Sequence, residues 1–333
     1  MNEPDISVIL PYFNAQNTLA EAANSMLKQG FSNLELILVN NASTDQSEKI
    51  ALEIAENDPR IVCLKEMQKG VSHAFNTGLN KAKGAFIARM DADDIAHPTR
   101  LQKQMDVFKK QPEIRVVATQ VTIPSKANNK GFKAYVNWSN SLISSEEIYL
   151  NRFVEQPVIN PTILCRKAIF DACGSYLHGD FPEDYDWFLR VLEKYKISKI
   201  AEPLLTWRDL PNRLSRNDAR YSQDAFYKTK AKYLAKWLLD NKLPNLKIAI
   251  WGYGKQARKR VKHLSAYGVE VATFIDVKPK SGKSDNYLYF KNIPTPGKYF
   301  IVSYVGNRGA RDEIRHFLKA KGYQEGKDFL MAA

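Results

Sequence analysis

Cysteine is scarce in this 333-residue chain: Cys63, Cys165 and Cys173 stand far apart and in no zinc or redox spacing. A disulfide scaffold is excluded, and small buried roles in a reducing cytoplasm are expected. No apolar run approaches the roughly 20 residues that span a bilayer. The start, Met1-Asn-Glu-Pro-Asp5, lacks the basic segment and apolar core of a secretory signal. His73, His97 and His178 show no metal-ligand spacing, so ordinary packing roles are expected for them. Internal repeats and low-complexity segments are also absent.

What is present is ordinary soluble composition, 44% hydrophobic and 26% charged, with length enough for two cores. The formal charge of +13 favours anionic partners: nucleic acid, an anionic membrane face or nucleotides.

The first hundred residues alternate strand and helix. Apolar runs predict strands at 6–10 (closed by Pro11), 34–39, 61–64 and 85–90, with helices over 18–30, 46–57 and 71–82. Ser43 or Thr44 is the expected cap of the second helix. This interval predicts an α/β, doubly wound sheet, whose ligands sit beyond the carboxyl ends of the strands. Asn14, Asn41 and Asp91 all fall just past such ends. Downstream, helices are expected over 100–111, 184–195 and 221–239 (the last ended by Pro244), and a strand over 115–123.

The densest chemical signal is Phe86-Ile-Ala-Arg-Met-Asp-Ala-Asp-Asp94. An apolar run enters three carboxylates, for which a buried strand has no use. Where the strand leaves the sheet, two of them can grip a hard divalent cation, Mn²⁺ or Mg²⁺, that also holds a diphosphate. The alternative is an exposed acidic turn or a helix cap before Pro98.

Five ordered motifs resemble the inverting family-2 glycosyltransferases of GT-A fold. They are Ser7-Val-Ile-Leu-Pro-Tyr-Phe-Asn14, Glu35-Leu-Ile-Leu-Val-Asn-Asn-Ala-Ser-Thr-Asp45, Lys69-Gly-Val-Ser-His-Ala-Phe-Asn-Thr-Gly78, Met90-Asp-Ala-Asp-Asp94 and Pro182-Glu-Asp-Tyr-Asp-Trp187. The resemblance covers residues 4 to 215. It implies a nucleotide-diphospho-sugar donor, a divalent metal and inversion at the anomeric carbon. Asp93 and Asp91 are then the expected metal residues, with Asp94 behind them or capping the next helix. Pro11, Phe13, Asn14, Asn41 and Asp45 are assigned to the nucleoside, and Lys69 and Gly70 to phosphate at a helix start. Asp184 is the expected general base, with Glu183 shaping the acceptor pocket and Asp186 only charging the helix start. Arg208, Arg213 and Arg216 are candidate diphosphate clamps.

The chain departs from the family in two places. Asn40-Asn41 stands where Asp-Asp or Asp-Asn is frequent, which leaves uridine open but less secure. A histidine common after residue 208 is missing, with Leu210-Pro-Asn212 in that region.

A second βα pattern begins at Leu246. Gly252-Tyr-Gly-Lys-Gln-Ala257 follows a strand and opens a helix, and Asp276 ends the next strand, as a dinucleotide fingerprint requires. The segment is short for a full dinucleotide fold and resembles the small Rossmann-like module of some sugar-modifying enzymes. Docking or homo-oligomer formation is expected of it, with a bound nucleotide as the alternative.

The expected layout is therefore a GT-A domain over 1–215, an amphipathic helical linker over 216–244 and a Rossmann-like domain over 245–333. Lys228, Lys230, Lys232 and Lys236, with Tyr227, Tyr233 and Trp237, are expected to form an ordinary helix that packs its aromatics between domains and leaves lysines at the surface; the alternative is peripheral contact with an anionic leaflet. The functional expectation is transfer of a sugar to a glycan or lipid-linked acceptor in surface polysaccharide synthesis, in the cytoplasm or at the inner membrane face. Rival readings are a sugar-phosphate nucleotidyltransferase, which would want a glycine-rich basic loop in place of Pro11-Tyr-Phe-Asn14, and a nucleotide- or nucleic-acid-binding protein. The last rests on charge alone, so no nucleic-acid partner is expected.

Overall fold

The computed structural model describes residues 3–124, 129–210, 213–241, 246–279 and 286–333. Pro244 and the Pro211-Asn212 pair fall outside the described residues. The chain divides into two units, one of residues 1–148 and 157–218, the other of residues 149–156 and 219–333.

The first unit is built on eight strands: β1 (Ile6–Tyr12), β2 (Leu34–Asn40), β3 (Ile61–Lys65), β4 (Phe86–Arg89), β5 (Ile95–Ala96), β6 (Val116–Thr122), β7 (Leu164–Arg166) and β8 (Ile197–Thr206). Their order is β3-β2-β1-β4-β7-β6-β8-β5. β1, β2, β3 and β4 run parallel, and β7 inserts antiparallel between β4 and β6. The sheet is thus mixed, as a GT-A fold requires. β1 and β2 are buried along their whole lengths, which explains their unbroken apolar runs.

Pro11 does not close β1, which continues to Tyr12. Ile9 turns its carbonyl toward β4, accepting from the Met90 N–H at 3.1 Å. Pro11, two residues on, directs its missing N–H to the same side, beyond the last β4 pair at Arg89, where no ladder bond is lost. The helix Val71–Lys81 lies close on this sheet because of Gly78, where an added Cβ would stand 2.6 Å from Ile9 Cγ2. Beneath it, Ser7 Oγ donates to Glu35 Oε1 at 2.5 Å and accepts from Gly84 N–H at 2.8 Å.

The cap of the second helix differs from expectation. Asp45, not Ser43 or Thr44, holds its start, accepting from Ser47 N–H at 3.0 Å and Gln16 N–H at 3.1 Å. Ser43 and Thr44 instead bind Asn14, so these hydroxyl-bearing residues join two loops rather than end a helix.

The second unit carries a five-stranded parallel sheet: β9 (Lys247–Trp251), β10 (Val271–Asp276), β11 (Tyr287–Tyr289), β12 (Tyr299–Ser303) and β13 (Phe329–Met331), ordered β11-β10-β9-β12-β13. Gly252 takes φ 116°, which a Cβ would oppose. The helix Gln223–Asp240, read from the sequence as a linker, packs within this unit with Tyr227, Tyr233, Leu234 and Leu238 buried. Asp276 accepts from Tyr253 N–H at 2.9 Å and Lys278 N–H at 3.2 Å. Its carboxylate holds the glycine turn in shape. Among the described residues no helix is long and apolar enough to cross a membrane.

Candidate active site

The acidic segment leaves the sheet at the end of β4. Carboxylate oxygens of Asp91, Asp93 and Asp94 lie within 4.8 Å of one another. Such crowding of like charge is unfavourable without compensation. Burial, then the charge of Asp91, raises the Asp93 carboxyl above the usual range, against the pull of Arg213 and Arg208. Asp94 is fully buried and raised further, first by burial and then by Asp93 and Asp91.

Arginines supply part of the compensation. Arg89 donates from Nε (2.9 Å) and Nη2 (2.8 Å) to Asp91 Oδ1. Asp94 Oδ1 accepts from Arg208 N–H at 2.9 Å, while the Arg208 Nε donates to the Asp93 carbonyl and its Nη1 to Glu21 at 2.5 Å. Arg213 stacks over Trp207 at 4.2 Å and donates to the Arg208 carbonyl at 2.9 Å. Arg216 pairs with Asp209. Arg208 and Arg213 therefore attend the acidic cluster, and Arg216 is committed elsewhere.

Compensation is incomplete. Among the described residues, Asp94 Oδ2, Arg89 Nη1, Arg208 Nη2 and Trp207 Nε1 are buried without a partner. Orphaned polar atoms at one cluster cost stability and point to a missing ligand. Three converging carboxylates with a spare buried oxygen fit a hard divalent cation.

The assigned nucleoside loop lies past the ends of β1 and β2. Asn14 adopts φ 48° and accepts from Thr44 N–H at 2.8 Å. Phe13 is 51% exposed, with Lys69 Nζ 5.7 Å from its ring centre. Gly70, at φ 139°, precedes the helix Val71–Lys81 with His73 and His178 close by. Asn41 is spent on the main chain: Nδ2 donates to the carbonyls of Glu66 (3.1 Å) and Gln68 (2.9 Å), and Oδ1 accepts from Gly70 N–H at 2.8 Å. It clips β2 to the Lys69-Gly70 segment.

Glu183 and Asp184 open the helix Glu183–Leu192, directly after Pro182. Asp186 pairs with Arg190 at 2.9 Å, which ties the helix to the carbonyl of Ser175. Arg89 feels the charges of Asp91 and of Glu183. The buried Tyr176 hydroxyl, raised mainly by burial, feels Arg89, Asp184 and Glu183. Arg89 and Tyr176 thus connect the acidic pair electrostatically with the cluster after β4. Neither residue was singled out in the sequence. Arg89 carried a signal: a cation ending an apolar strand is as misplaced as the aspartates beyond it.

Comparison with known proteins agrees with this geometry. Residues 7–174 match the family described as Glycosyl transferase family 2. An uncharacterized glycosyltransferase of Haemophilus influenzae is 28% identical over 214 residues, 62% of this chain and 66% of the relative. The putative glycosyltransferase EpsE of Bacillus subtilis is 29% identical over 227 residues, 66% of this chain and 79% of the relative. Among solved structures, S. aureus TarS 1-349 in complex with UDP-GlcNAc superposes with a TM-score of 0.56 at 17% identity, covering 79% of this chain and 71% of that one. The mannosyltransferase PcManGT of Pyrobaculum calidifontis, in complex with GDP-Man and Mn²⁺, gives 0.50 at 17% identity, over 80% and 70%. The structural likeness shows a GT-A fold, and the family match carries the class, a glycosyltransferase. The chain belongs to glycosyl transferase family 2.

Proposed function

We propose that the protein is a metal-dependent, inverting hexosyltransferase that moves a sugar from a UDP-sugar to a hydroxyl of a glycan or lipid-linked acceptor. The observation that carries this reading is the three-carboxylate cluster with its buried Asp94 oxygen, which has no partner among the described residues. Asp93 and Asp91 would hold Mn²⁺ or Mg²⁺, which supplies positive charge to the departing diphosphate. Arg89 fixes Asp91, and Asp94 anchors the Arg208 segment, so the ligand oxygens are set before the donor arrives.

Pro11, Phe13, Asn14 and Asp45 form the nucleoside side of the site. Asn41 acts indirectly, through the Lys69-Gly70 segment it holds at the phosphates. Arg208 and Arg213 add cationic charge at the diphosphate. Asp184 takes the proton of the acceptor hydroxyl as that oxygen bonds to the anomeric carbon and the bond to diphosphate breaks on the opposite face, giving inversion. Glu183 shapes the acceptor side. The UDP-GlcNAc and GDP-Man complexes of the structural neighbours support a nucleotide-sugar donor. Action at the cytoplasmic side, in surface polysaccharide synthesis, completes the proposal.

Thermal melts against a panel of nucleotide sugars with Mn²⁺ identify the donor, because a ligand of the folded state raises Tm by mass action. Turnover of that donor should fall at least a hundred-fold (~3 kcal/mol) in Asp93→Ala and Asp184→Asn. Full turnover in both variants refutes the assignment.

A further inference from the structure

The formal charge of +13 is not shared between the two units. The first unit holds 25 Lys and Arg against 26 Asp and Glu; the second holds 24 against 10, a net charge of +14. The basic character of the molecule therefore belongs to the unit that lacks the acidic cluster.

Within that unit the charge is organised. On the helix Gln223–Asp240, Lys228, Lys232 and Lys236 recur at every fourth residue and are all exposed. That spacing places them in one stripe. Lys230, off the stripe, is buried and donates to the carbonyls of Phe153 (2.8 Å) and Val154 (2.7 Å). The helix Lys255–Ser265 adds exposed Lys255, Arg258, Lys259 and Lys262, with no acidic residue along its length.

The two stripes meet at Asp224, which pairs with Lys259 (2.8 Å), His263 (3.0 Å) and Lys228 (3.3 Å). Hydrogen bonds from Lys259, His263 and Lys228 hold that carboxyl well below its usual range. The two helices carry seven exposed cations against two carboxylates, Asp224 and Asp240. Two large apolar side chains accompany this charge: Leu239, 52% exposed and three residues past Lys236, and Tyr267, 46% exposed and just past the second helix.

We propose that this paired-helix face docks on the surface of an anionic lipid bilayer. Ammonium groups on outward-facing helices, flanked by exposed Leu and Tyr, suit lipid headgroups with shallow apolar insertion. Nucleic acid would rather call for guanidinium forks and aromatic platforms for bases; here six of the seven exposed cations named are lysines. The inference is independent of donor and acceptor.

Cosedimentation of the full chain with vesicles tests it. Phosphatidylcholine vesicles are compared with vesicles also containing phosphatidylglycerol, at about 50 mM and about 500 mM salt. Binding is expected only to the anionic vesicles and only at low salt. Each lysine near the surface contributes roughly five-fold to partitioning, so Lys228→Glu/Lys232→Glu/Lys236→Glu should lose on the order of a hundred-fold or more. The control Lys109→Glu/Lys110→Glu, exposed residues of the first unit, should bind within about two-fold of the parent at an unchanged Tm. Wild-type binding by the triple variant, equal losses in triple variant and control, or no binding to anionic vesicles overturns the proposal. So does capture of single-stranded DNA through these lysines while vesicles are ignored.

Discussion

Asn41 separates two physical accounts of the nucleotide side of the site. Its amide makes three hydrogen bonds to main-chain groups of Glu66, Gln68 and Gly70, between 2.8 and 3.1 Å, in a residue 7% exposed. Each such bond contributes about 1 kcal/mol net, so Asn41→Ala should lose on the order of 3 kcal/mol. For a unit of this size that lowers Tm by roughly 6–12 °C. The Lys69-Gly70 segment loses its tether as well, so the donor KM should rise together with the fall in Tm. Asn41→Asp keeps the acceptor for Gly70 but turns a carboxylate oxygen against two carbonyls, and should also destabilise. Thermal melts paired with donor kinetics decide the matter. A Tm within about 1 °C of the parent in Asn41→Ala, with only the donor KM changed, would refute the clip and make the amide a direct reader of the base.

Other consequences follow from particular contacts. Gly78→Ala forces a Cβ to 2.6 Å from Ile9 Cγ2 and 3.2 Å from Val39 Cγ2, and should cost about 1–3 kcal/mol by denaturant titration. Arg89→Met removes both donors to Asp91 and leaves a carboxylate beside a less balanced acidic cluster. Calorimetric Mn²⁺ affinity should drop at least about ten-fold, whereas unchanged affinity would remove Arg89 from the site. Burial brings the Lys199 ammonium down to about 7, although it donates to the Ser139 and Pro157 carbonyls at 2.7 and 2.8 Å. The folded state then binds fewer protons than the unfolded chain above that value. Stability should rise from pH 7 to about 8.5, and the rise should be smaller in Lys199→Met.

The parts legible in the sequence are those where one force dominates. β1 and β2 read directly because burial on both faces demands continuous apolar residues. β7 did not, since three residues beside a charged Arg166-Lys167 carry no period. β8 escaped notice because its middle, Ala201-Glu202-Pro203, is exposed and holds a charge and a proline that break the apolar pattern. The Asp91–Asp94 cluster was visible because charge at the end of a buried strand has no structural explanation. Asn41 illustrates the converse. Its residue type fits base recognition and loop clipping equally, and only coordinates show the amide surrounded by main chain. Arg89 required knowing which acids lie across from the end of β4, which depends on helix Glu183–Leu192, nearly a hundred residues away. In the second unit the role of Asp276 in shaping the glycine turn, through the N–H groups of Tyr253 and Lys278, likewise needed coordinates.

The claim on which the account rests is that the carboxylates after β4 hold a divalent cation. Anomalous diffraction from crystals grown with Mn²⁺ and UDP tests it most directly. The account predicts a peak at coordination distance, about 2 Å, from Asp93 with Asp91 adjacent, absent in Asp93→Ala crystals. A peak elsewhere, or none beside the bound diphosphate, would contradict it.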